Sequence, residues 1–268
     1  MPTDHGLKKF RWPKLKNVGL GCFLLLAGTV LGRADTVCFT NLLAQGDNFA
    51  THSNATAALK IYLQAEGQFA TNTADLCILT QHFCDLMYVT SSSATKKTVA
   101  EHALNCARQA VASNPKNATA HICLAITYAK NFPFAGNQAK VDYSRGIKQE
   151  SEKAIALDPK QDIAYYLLGC WHYGAANLNF FYKGLAKVIY GGLPPASNEK
   201  AIENFKAAIA LNPNRIIHHA ELGKVYATIG QATLARNEWE KCRKLQPLDR
   251  DDREAQQEAV QELAKLTP

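Results

Sequence analysis

Four prolines punctuate the chain at Pro115, Pro159, Pro213 and Pro247, and each closes an alanine-rich stretch with apolar residues at helical spacing. The stretches read ALNCARQAVASNP, ESEKAIALDP, AIENFKAAIALNP and ARNEWEKCRKLQP. Proline lacks an amide proton and its ring clashes with the preceding turn, so a helix stops at or just before it. A chain that stops its helices so regularly is expected to be a stack of helix pairs, each pair burying its apolar face against the next.

The last unit is the cleanest. Leu222-Gly223, Tyr226, Gly230, Ala235, Trp239 and Pro247 match the spacing of the tetratricopeptide repeat, about 34 residues long. Two antiparallel helices approach closely only where small residues sit at their crossing and large ones fill the space beside it. Gly223 and Ala235 are the small residues here; Tyr226 and Trp239 are the fillers. A glycine inside a helix costs about 1 kcal/mol against alanine, so Gly223 needs such a packing reason. The same scheme recurs upstream in Leu168-Gly169 with Ala201, Phe205 and Ala208, in Leu124-Ala125 with Tyr128 and Ala154, and in Leu79 and Phe83 with Ala103 and Ala110. The first unit shows Ala58, Tyr62 and Ala65. The expected fold is all-α: a tetratricopeptide-type solenoid of five helix pairs plus a closing helix over 251–266.

The prolines lie 44, 54 and 34 residues apart, and only the last interval has the standard length. The sequence therefore predicts two insertions, one near 131–145 and one over about 177–198, the latter inside the fourth pair. Insertions into a solenoid project from one side and often serve binding. The second carries Phe180, Phe181, Leu185, Val188 and Ile189 at near-helical spacing, an apolar stripe suited to covering a groove or meeting a membrane surface.

Three stretches together resemble the regulator of microtubule dynamics family: Leu168-Gly169-Cys170-Trp171-His172-Tyr173, the insertion FFYKGLAKVIYGGLPPAS, and the helix EKAIENFKAAIALNPN. The generic repeat extends the likeness over about 47–266. The resemblance implies a tetratricopeptide fold. It also implies the properties described for eukaryotic members: microtubule association and, for some, anchoring at organelle contacts with a link to phospholipid handling. The N-terminus differs from theirs and resembles a bacterial export signal.

That N-terminus has three parts. Lys8, Lys9, Arg11, Lys14 and Lys16 make it basic, 18–32 form an uncharged, mostly apolar run, and Gly32-Arg33-Ala34 offers small residues where a signal peptidase reads them. The apolar run is shorter than the ~20 residues of a spanning helix. Residues 1–34 are thus expected to be an export signal, with 35–268 the repeat domain in a periplasmic or extracellular setting; the alternative is an anchor made by residues 18–32. Six of the basic residues and one acidic residue lie in 1–34, which reduces the chain's net +7 to +2 beyond them. A near-neutral body lacks the electrostatic footprint of a nucleic-acid binder.

No nucleophile elbow, phosphate loop, HExxH or CxxC occurs, so no enzyme, cofactor or metal is expected. His218 and His219 are neighbours on one helix and point about 100° apart, too divergent to share a metal. His121 with Cys123 and His82 with Cys84 diverge likewise, and these histidines read as helix-surface or half-buried residues. Cys38, Cys77, Cys84, Cys106, Cys123, Cys170 and Cys242 read mostly as packing residues, with export permitting one or two disulfides. Cys77 and Cys84 cannot pair, being ~10.5 Å apart along one helix.

In a solenoid of this type the first helices line a concave groove. Helical register puts Tyr166, Cys170 and Tyr173 on that face in the fourth pair, and Ala220, Lys224 and Thr228 in the fifth. The third pair offers Ile122, Ile126 and Lys130; the second, Gln81 and Asp85. The candidate site is Tyr166, Tyr173, Lys224, Ile126 and Lys130, with Phe180 and Phe181 closing it from above. The lining suits an amphipathic helix or a lipid-like molecule. The expected function is a non-enzymatic scaffold that binds a partner protein or peptide.

Overall fold

The computed structural model describes residues 30–70, 72–178 and 191–266, with side chains from 37 onward. Every described element is helical: α1 Val30–Thr51, α2 Ala55–Phe69, α3 Thr73–Val89, α4 Ser93–Ser113, α5 Ala118–Asn131, α6 Asn137–Leu157, α7 Asp162–Ala176, α8 Asn198–Leu211, α9 Ile216–Thr228, α10 Ala232–Lys244 and α11 Arg250–Lys265. A short 3-10 turn, Phe132–Phe134, joins α5 to α6. These are the five expected pairs and the closing helix. No helix among the described residues is long and apolar enough to cross a membrane. The run at 18–32 lies largely outside the described residues, and α1 begins at Val30, inside the segment 1–34 assigned to targeting.

The chain divides within α5 into two compact units, residues 16–127 and 128–268. In the first, α1 packs on α2 and α3 on α4, and the N-terminal half of α5 completes the core. Phe39, Tyr62, Leu79, Phe83, Leu86 and Met87 fill it. In the second, α7 packs on α8 and α9 on α10, while α11 lies against α9 and α10.

Helix ends follow from short-range chemistry. Asn54, Asn72, Ser92, Ser197 and Asp249 each accept a backbone N–H of the first turn that has no intrahelical partner. At the proline stops, the amides of Asn114, Asp158 and Asn212 each donate to the carbonyl of an alanine four residues back: Ala110, Ala154 and Ala208. Those alanines are fully buried. One residue type thus serves the helix end and the close packing at these three stops; before Pro247 the Leu245 amide donates instead to the Lys241 carbonyl.

The crossings are made by glycine against an aromatic ring. A Cβ at Gly169 would lie 2.8 Å from Phe205, and one at Gly223 would fall inside contact distance of the Trp239 indole. Trp239 Nε1 also donates to the Ala220 carbonyl at 3.2 Å, which fixes the ring there. The structure adds two crossings of the same kind. Gly46 abuts Tyr62 between α1 and α2, and Gly146 abuts Tyr128, where a Cβ would lie 2.6 Å from the ring. In that third pair the order is reversed, with the glycine on the second helix. The α3–α4 pair has no glycine and relies on Ala103, Cys106, Ala107 and Ala110, all at 0% exposure.

The extra length near 131–145 is mostly helix: α6 has 21 residues where α10 has 13. The second insertion falls between α7 and α8. Residues 179–190, including Phe180 and Phe181, lie outside the described residues. Its two ends meet, because Asn177 Nδ2 donates to Asn198 Oδ1 at 2.7 Å. Gly191 and Gly192 have φ of 72° and 84°, a left-handed turn that favours glycine. Arg145 Nη2 holds this turn to α6 through the Gly192 carbonyl at 2.8 Å.

Candidate functional site

In the second unit α7 and α9 are first helices of successive pairs, and helical spacing aligns Tyr166, Cys170 and Tyr173 with Glu221, Lys224 and Thr228. Tyr173 Oη lies 2.9 Å from Thr228 Oγ1. The Thr228 hydroxyl donates to the Lys224 carbonyl at 2.9 Å, so Tyr173 is the donor between the two helices. Tyr173 is half-buried and Thr228 exposed, so this bridge lies at the surface.

Lys224 sits beside it, between two carboxylates. Its Nζ donates to Glu221 Oε1 at 2.7 Å and to Glu258 Oε2 of α11 at 3.0 Å. Burial works against the ammonium, but the two carboxylates outweigh it and raise the Lys224 pKa. Burial raises the Glu221 pKa, with Lys224 opposing. The Glu258 side chain is 52% exposed, so the outward rim of this cluster is acidic. The charge of Lys224 is therefore already shared between two glutamates.

Tyr166 and Cys170 form the floor. Tyr166 is 2% exposed, its ring packed against Phe205 and His218 at centroid distances of 6.0 and 5.3 Å. Burial raises both the Tyr166 hydroxyl and the Cys170 thiol well above their ordinary pKa. Both therefore stay neutral. Tyr173 and Lys224 thus lie on adjacent first helices at this face, and Tyr166 supports it from beneath. Lys130, at the end of α5, is 2% exposed. Ile126 belongs to the first unit and is 3% exposed. Phe180 and Phe181 fall outside the described residues.

Glu221 and Glu258 escaped the sequence reading. Glu221 had a signal, as the residue three before Lys224 on the same helix. Glu258 had none, because it arrives from the closing helix.

His121, His218 and His219 prove to be buried structural links where the sequence suggested surface or half-buried positions, while His82 is half-buried as expected. His218 Nε2 meets Asp162 Oδ2 of α7 at 2.9 Å, and His219 Nδ1 meets Glu238 Oε2 of α10 at 2.6 Å. His219 Nε2 also donates to the Pro213 carbonyl at 2.9 Å, and His121 makes the equivalent bond to Pro115 at 2.9 Å. In the first unit, Asp47 Oδ1 accepts from Tyr62 Oη at 2.6 Å and meets His82 Nδ1 at 2.8 Å. That carboxylate ties three helices together. Among the described residues no three His, Cys, Asp or Glu side chains converge to hold a metal.

Antiparallel pairs with small-residue crossings, proline stops and a first-helix face define a tetratricopeptide-type helical repeat protein. Solved structures agree on the fold. A thermophilic tetratricopeptide protein of Thermus thermophilus superposes with a TM-score of 0.55 at 18% identity, over 83% of this chain and 99% of that one. Pseudomonas aeruginosa pilF gives 0.51 at 14% identity, over 88% and 94%. Within this class, residues 42–267 match the family model described as regulator of microtubule dynamics protein 1-3, and the chain belongs to that family. Its relatives include regulator of microtubule dynamics protein 1 of Pongo abelii, 29% identical over 66% of this chain and 57% of that protein. Regulator of microtubule dynamics protein 2 of Mus musculus is 23% identical over 84% and 55%. The chain spans little more than half the length of these relatives.

Proposed function

We propose that the chain is a non-enzymatic interaction scaffold that binds a protein or peptide segment across the α7–α9 face of its second unit. The observation that carries this reading is the Tyr173–Thr228 bridge beside the Glu221–Lys224–Glu258 cluster. A half-buried aromatic supplies contact area at low entropic cost, and an ordered charged rim supplies orientation. Because Lys224 is matched by two carboxylates, a partner that sets a basic residue against Glu258 suits the rim better than an anionic one.

The reading places the protein outside the cytoplasm, on the strength of the basic segment and apolar run within residues 1–34. N-terminal sequencing of the mature protein checks this, with Asp35 expected as the first residue. The scaffold itself is tested by capture from the cell's own envelope fraction, beside mass spectrometry of small molecules extracted from the purified protein. A protein captured by wild type and lost with Tyr173→Ala supports it. Stoichiometric acyl chains in the purified protein, with no captured protein, would replace it with lipid carriage.

A further inference from the structure

Four buried cysteines share the core of the first unit: Cys77 and Cys84 on α3, Cys106 on α4 and Cys123 on α5. They are not equivalent. The Cys123 thiol donates to the Cys77 carbonyl across 3.7 Å, and each of the two thiols shifts the ionisation of the other. Cys106 instead donates to the Glu66 carboxylate at 3.3 Å. In the second unit Cys242 makes the same kind of carbonyl contact, to Ile216 at 3.7 Å, but no cysteine is among the groups acting on it.

We infer that Cys77 and Cys123 are a disulfide-forming pair that ties α5 to α3. The Cys123 sulfur already lies 3.7 Å from the Cys77 main chain, so the two residues are neighbours across α5 and α3, and nearness is the condition most cysteine pairs fail. Polarity assigns the roles. The neighbouring Cys123 lowers the Cys77 thiol pKa despite burial, which makes Cys77 the better nucleophile. Burial and Glu66 both push Cys106 far up, which makes it the poorest.

The oxidant is a small disulfide such as oxidised glutathione. The Cys77 thiolate attacks one of its sulfurs, forms a mixed disulfide and expels one thiolate. Cys123 then loses its proton and attacks the Cys77 sulfur, expelling the second. One small disulfide is reduced to two thiols as two protein thiols are oxidised to one bond. Both cysteines are at most 5% exposed, so exchange proceeds through local opening of the helices. The bond closes a loop between positions 46 residues apart and restrains the unfolded chain accordingly.

The test uses the full chain, reduced and then incubated with oxidised glutathione. Remaining thiols are alkylated and peptides mapped without reduction. The expected result is a Cys77–Cys123 linked peptide and a rise in Tm of about 5–10 °C that dithiothreitol reverses. Cys84→Ser is expected to keep both, and Cys123→Ser to lose both. Peptide mapping of the wild type decides alone should a serine variant fail to fold. A bridge to Cys84 or Cys106, a mixed disulfide on Cys77 that never resolves, or full alkylation of both thiols would each overturn the assignment.

Discussion

The two units are built on one repeat but hold their charges differently. In the first, the Asp47–His82 and Glu66–His102 pairs lie at its margin, with side chains 18–50% exposed, over a core of aromatic rings and thiols. In the second, charge reaches the interior. Asp252 is 0% exposed and accepts from the Ile217 and Leu248 amides at 3.1 Å each, while Arg215 meets Asp249 at 2.7 Å and Asp252 at 3.4 Å. Burial works against the Arg215 charge, and the aspartates outweigh it. The closing helix is therefore fastened by buried ions, where the first unit is fastened by packing. Buried ions fix geometry at the risk of heavy losses when one partner is removed.

That contrast breaks most sharply at Asp252. Asp252→Ala leaves Arg215 buried with one partner and two amides without any, and is expected to cost about 3–5 kcal/mol. Hydrogen exchange is expected to show α9 and α11 opening while α3 and α4 keep their protection. Loss of protection in all four together would show that the contrast is false.

Overpacking at the crossings comes next. Gly223→Leu drives a side chain into the Trp239 indole, and a cost at or above about 3 kcal/mol is expected. Gly46→Leu meets Tyr62 in the first unit and is expected to cost a similar amount. Chemical denaturation measures both. A marked difference between them would show that the crossings are less alike than their geometry.

A pH titration sharpens the comparison further. Burial, with Lys200 and Lys148 nearby, lowers His172 from 6.5 to about 4. Burial also lowers His218, with Asp162 opposing. Both bind a proton less readily in the folded state than in the unfolded chain, so the unfolded chain takes up the extra protons and stability falls as pH drops below 6.5. Glu221 acts in the opposite sense, since its raised pKa favours the protonated, low-pH form. In the first unit the lowered carboxylate is Asp47, whose contribution is lost only below its ordinary value of 3.8. Between pH 6.5 and 4.5, exchange protection is expected to weaken in α7 and α9 more than in α3 and α4. Earlier weakening of α3 and α4 would contradict this. The smallest effect is a cap in the first unit: Asn54→Ala removes the bond to the Ala57 amide and is expected to cost about 1 kcal/mol by thermal denaturation.

The sequence shows much of this wherever the cause is local. Proline stops at Pro115, Pro159, Pro213 and Pro247 mark the ends of α4, α6, α8 and α10, and the repeat spacing exposes Gly169 and Gly223 as crossing points. Gly46 and Gly146 stay hidden because the α1–α2 pair lacks a proline stop and the α5–α6 pair reverses the usual order. Register alone pairs Tyr173 with Thr228. Glu258 meets Lys224 from 34 residues away and Cys123 meets Cys77 from 46, and no periodicity encodes either contact. Burial of Tyr166 beneath the face depends likewise on Phe205 and His218 from two other helices.

The account stands on the α7–α9 face being the place where a partner binds. The most direct measurement is titration calorimetry of the captured partner against wild type, Tyr173→Ala and Asn54→Ala, each checked for folding by its denaturation midpoint. Tyr173→Ala is expected to weaken binding by more than about 1 kcal/mol, the threshold of a significant contact, while Asn54→Ala in the other unit leaves affinity unchanged. Equal affinity for all three proteins would show that the partner binds elsewhere.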